Sequence, residues 1–278
     1  MRDEPLSAQG EKLLDADHDR HDEAIDVLRR AVAGREPSAP GLLARAYLDR
    51  GDLHLVVALL VPRVRAGRTD LAFPLAEALA GTRDFERAEL AFQRAVVAGE
   101  VPAMVAFGVF LRDRGRLREA GRMLRKAAEA GSDEAPRHLV AVHWELGEPE
   151  LASATAAHWA DEARPTTLHA QAFVHAAYGR YARAEELYRQ AARLGAHRGH
   201  LEYAQFLVDA LDDTDAAEIE LELAEAGQEP GWAWAFGQFL VATGRVGEAR
   251  AYLRHAAYWG SIEARQALED LDGDPQDD

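Results

Sequence analysis

Apolar residues recur along the chain at helical spacing, in paired runs separated by turns that glycine marks. In residues 101–132, VPAMVAFGVFLRDRGRLREAGRMLRKAAEAGS, Met104, Phe107, Gly108 and Leu111 fall at offsets of 0, 3, 4 and 7, one face of an α-helix. Gly115 interrupts the pattern, Leu117, Ala120, Leu124 and Ala127 resume it, and Gly131 ends it where a positive φ is wanted. Two amphipathic helices joined by a short turn cannot bury both apolar faces alone. Such a hairpin needs stacked neighbours.

The neighbours are present as a repeat. The small residue that opens each second helix recurs as Ala24, Val56, Ala88, Ala120, Ala152, Ala184, Ala217 and Ala249, at spacings of 32, 32, 32, 32, 32, 33 and 32. Five residues earlier stand Gly51, Arg83, Gly115, Gly147, Gly179, Asp212 and Gly244. Eleven later stand Gly67, Gly99, Gly131, Ala163, Gly195, Gln228 and Gly260, with Gly227 one place early in the seventh unit. The extra residue is expected in the turn at 210–216, where it lengthens a loop without rotating a helical face. Pro62, inside a second helix, predicts a kink, whereas Pro40, Pro102 and Pro136 fall in first turns, where proline costs little.

The series resembles the tetratricopeptide repeat on Met104, Phe107, Gly108, Leu111, Ala120, Leu124 and Ala127. It is also similar to the Sel1-like repeat in AAEAGSDEA (127–135), AARLG (191–195) and AAYWGSIEA (256–264). Its period of 32 is shorter than the tetratricopeptide family's own. The resemblance implies an all-α, right-handed α-solenoid of about eight helix-turn-helix repeats, a single domain over 1–271. Residues 1–35 read as an atypical N-terminal cap repeat, with Glu11 and Lys12 where other units have a large and a small residue, 261–271 as a capping helix and 272–278 as a disordered acidic tail. In the fifth repeat Ala156 stands where other units have Leu, Phe or Tyr, and Trp159 where they mostly have Ala, which predicts a volume-conserving exchange across the core.

Composition narrows the function classes. The chain has 278 residues, 48% of them hydrophobic, and a formal net charge of −16, which opposes tracking a phosphate backbone and disfavours nucleic acid. No apolar run is long enough to span a membrane and the start lacks the apolar core of a signal peptide, so a cytoplasmic location is expected. Cysteine is absent, which removes disulfides, thiolate metal sites and a Cys nucleophile. Asparagine is also absent and only Lys12 and Lys126 are lysines, a bias of GC-rich bacterial genomes. No nucleophile elbow, phosphate loop or paired-carboxylate site is visible, so neither an enzyme nor a cofactor is expected. The loop at 15–23 gathers carboxylates with His18 and His21 and reads as a solvated acidic loop. His143 and His175, one repeat apart, read as packed core histidines beside His138 and His169, and no metal site is expected.

The resemblance places the first helix of each pair on a concave face that takes extended or helical peptides. Carrying its groove positions over gives Phe73, Arg112, Arg137, Trp144, His169, Phe173, Gln205, Trp234 and Gln238 as a partner-binding surface, with Trp144, His169, Phe173 and Trp234 as candidate anchors. Each aromatic fits either the groove or the core between repeats. The family's carboxylate clamp needs groove Lys and Asn, which this chain does not offer there. The function expected is a scaffold or adaptor for a protein or peptide partner, with no membrane and with a homodimer possible. The alternatives are a self-assembling structural protein and a small-ligand or peptide sensor without a DNA-binding domain.

Overall fold

The computed structural model describes residues 4–16, 20–161 and 164–273, which form an all-α solenoid of seventeen helices without a strand among them. Sixteen helices pair into hairpins: α1 (Leu6–Ala16) with α2 (His21–Ala33), α3 (Ala39–Asp49) with α4 (Leu53–Arg65), α5 (Ala72–Gly81) with α6 (Phe85–Val97), and α7 (Val101–Asp113) with α8 (Leu117–Glu129). There follow α9 (Ala135–Glu145) with α10 (Pro149–His158), α11 (Pro165–Ala177) with α12 (Tyr181–Arg193), α13 (Gly199–Leu211) with α14 (Thr214–Ala226), and α15 (Trp232–Ala242) with α16 (Val246–Tyr258). A final helix, α17 (Ile262–Gly273), buries Ala264 and leans Ala267, Leu268 and Leu271 on the core. Two compact units result: Met1–Ala103 with Tyr258–Ile262, and Met104–Ala257 with Glu263–Asp278.

The repeat is written into burial and backbone alike. All eight anchor residues, Ala24, Val56, Ala88, Ala120, Ala152, Ala184, Ala217 and Ala249, are 0% exposed. The turn position has positive φ throughout, including Arg83 (61°) and Asp212 (54°), where no glycine relieves the strain. The second turn likewise falls on Gln228 (51°), while Gly227 remains helical at −83°, so the register is kept against the residue preference. Ala163, its fifth-repeat counterpart, lies outside the described residues.

The extra residue of the seventh repeat sits at the end of α13. In most hairpins a backbone N–H closes the turn on a carbonyl five residues back, as from Arg116 to Leu111 and from Arg245 to Leu240. Here the Asp213 N–H reaches Leu207, six back, at 3.0 Å. Leu207 therefore stays buried. Pro40 and Pro136 occupy first turns, whereas α4 continues through Pro62 to Arg65.

Seven of the eight hairpins set a small residue of the first helix beneath a large one of the second. A methyl group on Gly108 would lie 2.6 Å from Leu124 Cγ, and one on Gly237 2.8 Å from Leu253 Cδ2. In the first hairpin Gly10 takes this role, 2.5 Å from Leu28 Cγ by the same measure, two residues ahead of the place where the repeat register puts Lys12. Ala44 with Leu60, Ala76 with Phe92, Ala172 with Tyr188 and Ala204 with Leu221 hold the same places, all buried. The fifth repeat inverts the pair: Val140 is large and Ala156 small, and both lie in one buried cluster with Ala152, Ala170 and Val174. The exchange of volume expected between Ala156 and Trp159 is thus made by Val140 instead. Trp159 replaces an alanine that is fully buried as Ala127, Ala191 and Ala224. There α10 stops at His158 after 10 residues where α8 and α12 run for 13, and Trp159 lies half out of the core, whereas α4 runs on past Arg63 at the same place in the second repeat.

A carboxylate of the inter-repeat loop caps a first helix in two places. Glu36 accepts from the Leu6 and Ser7 N–H groups at 3.1 and 2.8 Å, and Glu229 from His200 and Leu201 at 3.0 and 3.1 Å. Hydrogen bonds from Ser7 hold the Glu36 carboxyl below the usual range. Glu100 stands at the equivalent place, but its Oε1 is buried without a hydrogen bond, and burial followed by the charge of Asp70 raises its pKa.

Candidate functional site

The first helices of the second unit carry the charged and aromatic side chains of interest. On α7 and α9, Arg112 Nε donates to Glu145 Oε1 at 2.7 Å. Arg137, also on α9, reaches past α11 to Glu202 on α13, with Nη1 donating to Oε1 at 2.8 Å. That pair joins alternate repeats, 65 residues apart in sequence. His169 lies behind it, 3% exposed, with neither ring nitrogen hydrogen-bonded. Burial, against the pull of Glu202 and with the push of Arg137 and His197, lowers its pKa to about 4, so it is neutral at physiological pH. His138, beside Arg137 and Arg112, is likewise held well below the ordinary histidine range, burial first and the two guanidinium groups next.

The expected anchors separate by environment. His169 is part of the buried wall, with its ring 6.0 Å from that of Tyr188, and offers no surface to a partner. Trp144 and Phe173 meet edge-on at 6.0 Å and rest half-buried on the Val140 and Ala156 cluster, and Tyr178 packs edge-on to Trp144 at 5.7 Å. These rings share their area between the core and the surface. Phe73, in the first unit, rests half-buried against Ala72, Ala95 and Ala103.

The three remaining residues come together. Gln205, Trp234 and Gln238 line one open cleft of about 480 Å³ between α13 and α15, over a floor that includes Leu201, Ala204, Val208 and Phe239. Both glutamines are exposed, and Trp234 leans half-buried on the core. Arg198 closes one end. It sits at φ 57° in the loop before α13 with Nη1 where a methyl group on Gly231 would lie only 3.3 Å away. Asp209 adds an exposed carboxylate. Repeat spacing found Gln205, Trp234 and Gln238 because they sit at equivalent helical positions. It missed Arg198, which lies in a loop, and Glu202, whose partner stands two repeats away.

Two histidines elsewhere are packed into the core. His21 is buried, with Nε2 3.3 Å from Asp49 Oδ2, and His143 is buried, with Nδ1 3.1 Å from Glu148 Oε2. His18 lies outside the described residues. Among the described residues no cluster of three or more metal-ligating side chains occurs, and no helix is long and apolar enough to cross a membrane.

No family model and no curated protein matches the chain. Solved structures do, among them tetratricopeptide-repeat proteins. Yeast Tom70 is similar at a TM-score of 0.60 and 12% identity, over 90% of this chain and 57% of that one. Human IFIT1, as a dimer with m7Gppp-AAAA, is similar at 0.53 and 14%, over 91% and 71%. The APC/C hetero-tetramer Cut9-Hcn1 is similar at 0.50 and 15%, over 95% of this chain but 55% of the other. The chain therefore spans little more than half the length of two of these neighbours. At such identities the likeness is one of fold.

Proposed function

We propose that the protein is a protein-interaction scaffold that holds a peptide segment of its partner along the first helices of the second unit, with the cleft between α13 and α15 as the principal contact. The observation that carries this reading is the cleft itself: a half-buried indole, Trp234, flanked by the exposed amides of Gln205 and Gln238. An aromatic face supplies contact area at low entropic cost, and flanking amides can hydrogen-bond a peptide backbone. Hairpins with fixed turns present this surface largely preformed, so the ordering cost falls on the partner. The assembly of Cut9 with Hcn1 shows the fold serving protein association, and the RNA cap bound to IFIT1 shows it serving nucleic acid. The net charge of −16 favours the former for this chain.

Selection from a random peptide library, followed by titration of the enriched sequences, tests the proposal. The double variant Trp234→Ala with Gln238→Ala should weaken selected peptides by at least about tenfold with helicity unchanged. Peptides that bind wild type and variant equally would place the contact elsewhere.

A further inference from the structure

The second helices of repeats four and five build another surface, away from the α13–α15 cleft. Arg118, Arg122, Arg125 and Lys126 are all exposed on α8. Among the described residues none of them is paired with a carboxylate: Glu119 is held by Arg116 at 2.8 Å, and Glu148 faces His143. In a chain of net charge −16 this is a local reversal of sign. The four cations flank an open hollow of about 410 Å³ whose remaining wall includes Leu146, the buried His143 and, at its margin, the carboxylates of Glu129 and Glu148, outnumbered by the cations. Arg125 and Glu129 also border a second hollow of about 280 Å³, walled by Leu139, Leu151, Thr155 and Trp159. Leu151 is 41% exposed there. The second hollow lies where α10 stops short, beside Trp159.

We propose that this face docks an acidic segment of a partner protein, with carboxylates on the cationic stripe of α8 and one apolar side chain in the hollow beside Trp159. Size selects the occupant. Eight residues separate Arg118 from Lys126, a rise of about 12 Å, which matches roughly four residues of extended chain and exceeds the reach of a single phosphate. The apolar hollow beside the stripe supplies what a bare polyanion would not use. Arginine, three of the four cations, suits carboxylate recognition by its planar fork.

The probe is a fluorescein-labelled twelve-residue peptide of aspartate and glutamate with one central leucine, titrated by anisotropy near physiological salt. Arg122→Glu with Arg125→Glu should weaken binding by at least about tenfold, and replacing the probe's leucine by serine should weaken it about fivefold. Trp234→Ala with Gln238→Ala should leave it unchanged, which separates this face from the cleft. Circular dichroism verifies that the variants, altered only at exposed positions on this face, keep their helices. No binding by wild type, or equal binding by the charge-reversed variant, overturns the proposal. Co-sedimentation with phosphatidylserine vesicles in the absence of peptide binding overturns it in favour of an anionic membrane surface.

Discussion

Repeats four and five solve one packing problem in opposite ways. Repeat four places Gly108 beneath Leu124 and keeps α8 at 13 residues. Repeat five places Val140 opposite the small Ala156 and ends α10 after 10. The hairpin tolerates inversion because what it conserves is the summed volume across the two helices, not the residue at either place. At the neighbouring alanine site α10 ends before Trp159, whereas α4 continues past Arg63. Strict packing and an open surface thus stand side by side.

The largest break in this comparison should come from Leu124→Ala, which empties a fully buried site that Gly108 cannot fill. A loss of about 2 to 5 kcal/mol is expected in denaturant unfolding. An unchanged midpoint would remove Leu124 from the core. Ala156→Leu should cost about 1 to 3 kcal/mol by overpacking against Val140, and a second change, Val140→Ala, should restore most of it. Additive losses in that double-mutant cycle would show that the two residues do not compensate each other. Gln228→Gly should stabilise the seventh repeat by about 1 kcal/mol, since the left-handed backbone there strains any side chain, less the added freedom of the unfolded chain. A lower melting temperature would contradict that account.

The smallest effect concerns Glu100, whose folded pKa lies above its ordinary value of 4.5. A raised carboxyl pKa means that the folded state holds its proton more tightly, so stability from this group is present below the unfolded value and is lost as pH rises through the folded one. Glu100→Gln should therefore gain stability at pH 7, by less than about 1 kcal/mol because the side chain is only partly buried. The gain should vanish near pH 4. Glu36, which two backbone N–H groups satisfy, should behave oppositely, its contribution fading as pH falls through its depressed folded pKa. Equal responses of the two to pH would show that backbone capping does not distinguish them.

How far the sequence could be read depends on the range of the interaction. The anchors, the turns and the even spacing are local: each follows from helical period and from one backbone position of positive φ, so Arg83, Asp212 and Gln228 could be assigned to turns without being glycine. The cleft was half legible. Gln205, Trp234 and Gln238 follow from repeat position, but which aromatics face outward does not, because Trp144, Phe173 and Trp234 are alike in spacing and differ in how neighbouring helices cover them.

The sequence by itself determined the hairpin, its repetition and the small residues at the buried anchor positions, since all three rest on contacts within about 32 residues. Only the tertiary structure decided that Gly10 rather than Lys12 meets Leu28, that Val140 balances Ala156, and that Arg137 crosses two repeats to Glu202 with His169 behind it. Those outcomes depend on helix register, on the volume left between particular side chains and on the reach of side chains past a neighbouring repeat, and none of the three is carried by a periodic pattern.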